Sequence, residues 1–343
     1  MPVSYDAFLL VSFGGPEAPG EVMPFLRNVT RGRNIPDERL EKVAEHYYHF
    51  GGVSPINQQN RDLIAAVEAE FAASGLDMPV YWGNRNWDPY LGDTVKQMAG
   101  DGIRRAIALT TSAYSSYSSC RQYLEDIERA RAETGPGAPV IDKLRHYFNH
   151  PGFIQPLAEH AEAALGTLDS AVRPGAHLVF TAHSIPEPMA AASGPRGGTC
   201  QSYTAQFREA ARLVSERVDG GTHPWELAYQ SRSGPPSQPW LEPDVAGHLA
   251  ALASAGARAA VLVPAGFVSD HMEVRYDLDV EAAQTAERLG IAVARAATPG
   301  THPRFVAMIR ELVAERMDDA ERLTLGATGP SHDVCPAGCC AAR

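Results

Sequence analysis

Apolar positions along the chain alternate between two patterns. Short β-branched and aliphatic runs at Ala7 to Ser12, Pro79 to Gly83, Arg105 to Thr111 and Pro139 to Lys143 stand between longer amphipathic stretches. That rhythm predicts parallel strands joined by helices. It then repeats, with strands expected near His177 to Ala182, Glu226 to Gln230, Ala259 to Pro264 and Gly290 to Arg295, and helices over Tyr203 to Val218 and Val245 to Ala255. Two successive α/β units follow, and the stretch Ala171-Val172-Arg173-Pro174-Gly175 punctuates the chain between them. The expected division is 1–170 for the first domain, 171–303 for the second, 304–330 for a C-terminal helix and linker, and 331–343 for a cysteine-rich tail. The last helical pattern runs from His302 to Met317.

A length of 343 residues fits two domains, and 44% hydrophobic with 21% charged residues is enough to build their cores. No apolar run approaches the roughly 20 residues of a membrane span, and no secretory pattern opens the chain, so a cytoplasmic protein without a membrane span is expected. A net charge of −11 argues against a nucleic-acid partner. Five cysteines without an export signal argue against a disulfide framework.

In open parallel sheets, ligands bind beyond the carboxyl ends of the strands, so the residues after each apolar run are the first candidates. One run ends in His183-Ser184-Ile185-Pro186, which sets an imidazole at a strand end. That imidazole is either a proton acceptor or a structural residue. Another leads through Gly266-Phe267-Val268-Ser269-Asp270-His271-Met272 to Glu273, after which Glu273, Asp277 and Glu281 recur at helical spacing. Three like charges on one face repel, so the ladder reads either as a cation path or as a solvated helix face. A third end carries Gln230-Ser231-Arg232 and then Pro239-Trp240-Leu241, and the first strand runs into Phe13-Gly14-Gly15-Pro16. No G-x-G-x-x-G fingerprint or P-loop occurs.

Taken together, in this order and at these strand ends, the motifs resemble those of ferrochelatases, and the resemblance covers nearly the whole chain. It implies two doubly wound α/β domains, each on a parallel four-stranded sheet, with a porphyrin cleft between them. It also implies insertion of Fe(II), as substrate, into a porphyrin, with His183 taking protons and first contacting the metal. Glu273 would deliver the metal or remove protons, and Asp277 and Glu281 would feed the ion. Phe13 and Trp240 would wall the macrocycle. Some relatives carry Tyr at the position of Phe13, and a phenyl ring cannot ligate iron, so Phe13 should only pack. Arg31, Arg33, Ser54 and Tyr123 stand where similar enzymes hold propionates, which favours coproporphyrin III as substrate, with protoporphyrin IX as the alternative. A non-catalytic haem or metal carrier is the reading from another class. A monomer is expected.

Cys335, Cys339 and Cys340 cluster in the tail, and thiolates so spaced suit iron–sulfur or zinc ligation. Some ferrochelatases hold a [2Fe–2S] cluster with three C-terminal cysteines and one internal cysteine. The internal position used by animal enzymes aligns near Pro156, so the resemblance leaves Cys120 or Cys200 as the fourth ligand, with Cys120 preferred.

Overall fold

Parallel strands covered on both faces need continuous apolar sequence, and strand β1 (Ala7–Ser12) is buried at every position. The computed structural model describes residues 3–194, 202–234 and 237–342, and its chain divides into two compact units. The first takes in the chain up to Thr111, Tyr123–Leu144 and Ile309–Ala320. Its sheet adds β2 (Val80–Asn84), β3 (Arg105–Thr110) and β4 (Val140–Lys143), all parallel, in the order β2-β1-β3-β4. Ala7, Leu9 and Val11 from one face of β1 pack with Leu91, Val95, Met98 and Ile127 from the flanking helices.

The second unit holds Ser112–Gln122, Arg145–Met308 and the chain from Glu321 onward. Its strands β5 (His177–His183), β6 (Trp225–Gln230), β7 (Ala259–Val263) and β8 (Ala292–Arg295) form a parallel sheet in the order β6-β5-β7-β8. Both sheets therefore share one plan, and in each the winding reverses at the first strand, which opens a crevice at the carboxyl ends of β1/β3 and β5/β7.

The unit boundary differs from the one expected near 171. Helix Pro151–Thr167 packs on β7, β8 and helix Tyr203–Ser215, so the main segment of the second unit starts at Arg145, with Ser112–Gln122 joining it from earlier in the chain. The stretch expected as a helix and linker also divides, with Ile309–Ala320 in the first unit and Glu321 onward in the second. Buried Arg145 and Asn149 fasten that last segment: Arg145 Nη2 donates to Leu323 O at 2.9 Å, and Asn149 Nδ2 donates to Gly329 O at 2.9 Å.

Candidate active site

His183 is the last residue of β5. The loop beyond β7 presses directly against this strand end: Gly266 N donates to Thr181 O at 2.9 Å, and a Cβ on Gly266 would stand 2.5 Å from Ala182 Cα. Only glycine allows that approach. The His-Ser-Ile-Pro turn is tied to the segment around Trp240, since Ser184 Oγ donates to Leu241 O at 2.8 Å and Leu241 N donates to Ile185 O at 3.1 Å. From below, the buried Tyr203 hydroxyl donates to His183 O at 2.9 Å.

His183 Nδ1 contacts Ser184 O. A carbonyl only accepts, so Nδ1 carries the hydrogen and, in the neutral ring, Nε2 presents its lone pair. That nitrogen faces Glu273 Oε2 at 3.8 Å, with the two side chains 33% and 50% exposed. The separation is too long for a hydrogen bond and short enough for one metal ion to bridge the two side chains.

The helix carrying the acids is not a plain α-helix. A single turn at Met272–Val274 widens into a π-helix over Arg275–Ala282 and then returns to α at Ala283–Leu289. Four residues fall just short of a π turn, so Glu273 and Asp277 still share a face, and such widened turns gather at functional sites. Asp277 accepts from the Ser231 hydroxyl and from Gln230 Nε2 at 3.2 Å, and Gln230 Nε2 also reaches Glu273 O at 3.3 Å. Ser231 is held at φ 61°, a left-handed conformation uncommon outside glycine. Burial pushes the Asp277 carboxyl up to about 7; the Ser231 hydrogen bond pulls it down, and Glu273 and Glu281 push it further up. Glu281 is exposed. Arg295 pairs with Asp270 at 2.9 Å and with Asp279, bracing both ends of the turn that presents Glu273.

In the first unit, Phe13 follows β1 and meets Phe25 edge-on, with ring centroids 6.3 Å apart. Gly15 lies against Ser54, where a Cβ would come within 2.7 Å of the serine side chain. Arg85 and Asp126 form a buried ion pair, and the Arg85 guanidinium covers the Tyr123 ring at 3.8 Å. Burial raises the Tyr123 phenol. A cavity of about 370 Å³ is lined by Arg31, Arg85, Lys96, Arg129 and Asp126, among others. Arg33 is exposed. In the second unit Trp240 is 8% exposed and stacks on Gly234, where a Cβ would meet its Nε1 at 2.3 Å, so it offers a ligand little surface.

The tail cysteines gather around Cys120 in the second unit. Cys120 and Cys335 sulfurs lie 3.7 Å apart, those of Cys339 and Cys340 3.8 Å, and Gly194 N points at Cys340 Sγ at 3.2 Å. None of these four is in a disulfide. Two thiolates on one tetrahedral metal stand about 3.8 Å apart, so the spacing suits metal ligation. Hydrogen bonding from Cys335 and Cys340 holds the Cys339 thiol well above its usual range, and contact with Cys120 pushes Cys340 up to about 12. Such crowded sulfurs ionise together only around a cation. His332 Nε2 lies 3.9 Å from Cys339 Sγ, and His332, Cys335 and Cys339 place their ligand atoms within 4.8 Å of one another. Cys200 lies outside the described residues.

The family model described as ferrochelatase matches residues 5–317. The chain belongs to the ferrochelatase family. A protein named coproporphyrin III ferrochelatase from Streptomyces griseus subsp. griseus is 54% identical over 100% of this chain and 95% of its own length. One of the same name from Frankia alni is 57% identical over 98% of this chain and 86% of its own length. A Rhodopirellula baltica protein named ferrochelatase is 55% identical over 98% and 93%. Among solved structures, SirB from Bacillus subtilis with Fe3+ aligns at a TM-score of 0.54 and 11% identity, over 91% of this chain and 97% of that one, which bears on the fold alone.

Within this ferrochelatase-family chain, the structure brings His183, Glu273 and Asp277 together, and Cys120 with Cys335, Cys339 and Cys340. Sequence reasoning missed Ser231 and Gln230 as partners of Asp277, Tyr203 beneath His183, Arg85 over Tyr123, and His332. The spacing His332-x-x-Cys335-x-x-x-Cys339 is a ligand pattern that reading the tail for histidine would have found.

Proposed function

We propose that this chain inserts Fe(II) into coproporphyrin III, giving coprohaem, and that His183 and Glu273 carry the chemistry. The reading rests above all on the lone pair of His183 Nε2 facing a carboxylate at 3.8 Å. That arrangement offers a proton acceptor and a hard oxygen ligand at one point. Metallation releases two pyrrole protons: His183 Nε2 accepts one, and the Glu273 carboxylate, once it has passed on the ion, accepts the other. Asp277, with its carboxyl near 7, exchanges a proton under neutral conditions as the hydrated ion passes from Glu281 towards Glu273. Phe13 packs near the macrocycle, buried Trp240 backs the turn after His183 instead of walling the ligand, and Arg31, Arg33, Ser54 and Tyr123 receive propionates.

Coproporphyrin has four propionates where protoporphyrin IX has two, and so needs more cationic anchors. Arg31 shares its cavity with Arg85, Lys96 and Arg129, and relatives at 54% and 57% identity carry the coproporphyrin name; both support the larger anion. The test is anaerobic mixing with Fe(II) and either porphyrin, following loss of the free-base bands. Fast metallation of coproporphyrin and slow metallation of protoporphyrin is the expected result. Preference for protoporphyrin would overturn the substrate, and tight binding without metallation would favour a carrier.

Cys120, Cys335, Cys339 and Cys340 are proposed to hold a [2Fe–2S] cluster, a group that supplies one-electron chemistry when bound. Visible absorbance and, after reduction, electron paramagnetic resonance test this; a colourless protein containing one zinc per chain would replace the cluster by a zinc site on the same four thiolates. The same reading takes the chain as a cytoplasmic monomer, for which light scattering should give the mass of one chain.

A further inference from the structure

The cysteine tail is built so that a histidine meets two of its thiols. Cys339 N donates to Pro336 O at 3.1 Å, and Gly338 between them has φ 76°, so residues 336–339 make a turn of the kind that needs glycine at its third position. The turn brings Cys339 back beside Cys335. On the other side of Cys335, Arg322 Nη2 donates to Ser331 O at 3.0 Å and to Asp333 Oδ1 at 2.8 Å, which fastens the residues on either side of His332.

His332 Nε2, Cys335 Sγ and Cys339 Sγ all lie within 4.8 Å of one another, with His332 Nε2 at 3.9 Å from Cys339 Sγ. A Zn(II) ion about 2.3 Å from sulfur and about 2.1 Å from nitrogen sets two tetrahedral sulfurs about 3.8 Å apart and a sulfur and a nitrogen about 3.6 Å apart. The His332–Cys339 edge is within a few tenths of an ångström of that spacing, and no edge exceeds it by more than about 1.2 Å. Burial divides the tail group further. Cys120 and Cys340 are 1% exposed, whereas His332 and Cys335 are only half-buried, so the three-donor set reaches solvent and the inner thiols do not. Two thiolates and one imidazole with water in the fourth position make an open zinc site, and thiolate donors favour Zn(II) over hard ions.

We propose that His332, Cys335 and Cys339 form a mononuclear site for a divalent cation of the Zn(II) class, with water as the fourth ligand. Binding releases two thiol protons to water, and the two thiolates then balance the charge of the ion. The inference rests on the reading of Cys335 and Cys339 as metal ligands and departs from it by taking His332 in place of Cys120 and Cys340. Because Cys335 and Cys339 serve both groups, the ion and the [2Fe–2S] cluster exclude each other. The tail therefore holds one or the other according to supply.

The test uses the full chain, reduced and freed of metal by chelation, and titrates it with Co(II). Thiolate-to-Co(II) charge-transfer absorption reports the tail and is silent at His183 and Glu273, which offer no sulfur. One Co(II) per chain should develop the band, and one Zn(II) should erase it. His332→Ala should weaken that binding by more than about 100-fold, since losing a ligand costs at least as much as losing a ligand's support. Cys120→Ser should leave it unchanged. When the cluster is assembled from Fe(II) and sulfide, its visible bands should vanish in Cys120→Ser and persist in His332→Ala, and the cluster-loaded parent should give no Co(II) band. Co(II) affinity kept in His332→Ala, or lost in Cys120→Ser, would overturn the three-ligand site. One Co(II) bound beside an intact cluster would overturn the exclusion. A parent chain that assembles no cluster would strike that reading alone, because the Co(II) titration judges His332 without it. Thermal midpoints of the metal-free chains identify any variant that misfolds, and His332→Asn, closer in shape and a poor zinc ligand, decides the matter should His332→Ala do so.

Discussion

The carboxyl ends of the two sheets offer the same crevice with opposite contents. Beyond β1 lie Phe13, two glycines and Ser54, with Arg85 and Tyr123 in the same unit: small, flat or cationic groups that suit a planar anion. Beyond β5 and β7 lie His183, Glu273 and Asp277, which suit protons and a cation. The winding is identical, so the fold fixes where a ligand is met and the residues at the strand ends fix which part of it. Substitutions in the second unit should therefore act on the metal and proton steps, and substitutions in the first on porphyrin affinity or stability.

The sharpest break of that contrast is His183→Ala. Losing a positioned proton acceptor should lower the metallation rate by about 10²- to 10⁴-fold, read from the free-base bands, with little change in porphyrin affinity. Arg85→Ala leaves Asp126 as a buried charge still partnered by Arg129, and should cost up to about 3 to 5 kcal/mol of unfolding free energy in a urea titration. It should also raise the KM for porphyrin more than that for Fe(II); an effect on the Fe(II) KM alone would dissolve the division of labour.

Asp277→Asn sharpens the comparison through pH. Its carboxyl sits near 7 in the folded chain against an ordinary value of 3.8, so the folded state holds the proton more tightly and this group's contribution to stability falls as pH rises from about 4 to 7. The asparagine variant should gain in thermal midpoint relative to the parent over that interval while binding Fe(II) more weakly above pH 7. A midpoint difference independent of pH would contradict the assignment. The smallest effect is expected at His150, whose ring caps helix Pro151–Thr167 by accepting from Gly152 N at 3.0 Å. Burial lowers its pKa to about 3, so the unfolded chain takes up a proton that the folded chain refuses, and stability declines as pH falls from about 6.5 towards 3. His150→Ala should remove that decline and cost about 1 kcal/mol at neutral pH through the lost cap, measured by denaturant unfolding.

The eight strands were legible because buried parallel strands are written as short apolar runs, and His183 and Glu273 stood out as candidates because each marks the end of such a run or the loop that follows it. The unit boundary was not legible, since the proline and glycine punctuation at 173–175 marks only a short turn, while the long-range packing of Pro151–Thr167 on β7 and β8 decides where the unit begins. The widened turn at Arg275–Ala282 was equally hidden: i, i+4 spacing fits α and π geometry alike. Ser231 and Tyr203 are common residue types whose importance lies in what they touch, namely Asp277 and the His183 carbonyl. Contact partners of that kind carry no periodic signature.

The sulfur group at Cys120 has a consequence for how the chain is born. Cys120 and Cys335 are 215 positions apart, and every strand of the second sheet is synthesised between them. The metal group proposed to join them would close a ring around that whole sheet, which in loop-entropy terms would restrict the unfolded chain by on the order of 5 kcal/mol. Such a ring could close only after synthesis has passed Cys340, so a chain cut short before Cys335 would keep His183 and Glu273 and could not form it.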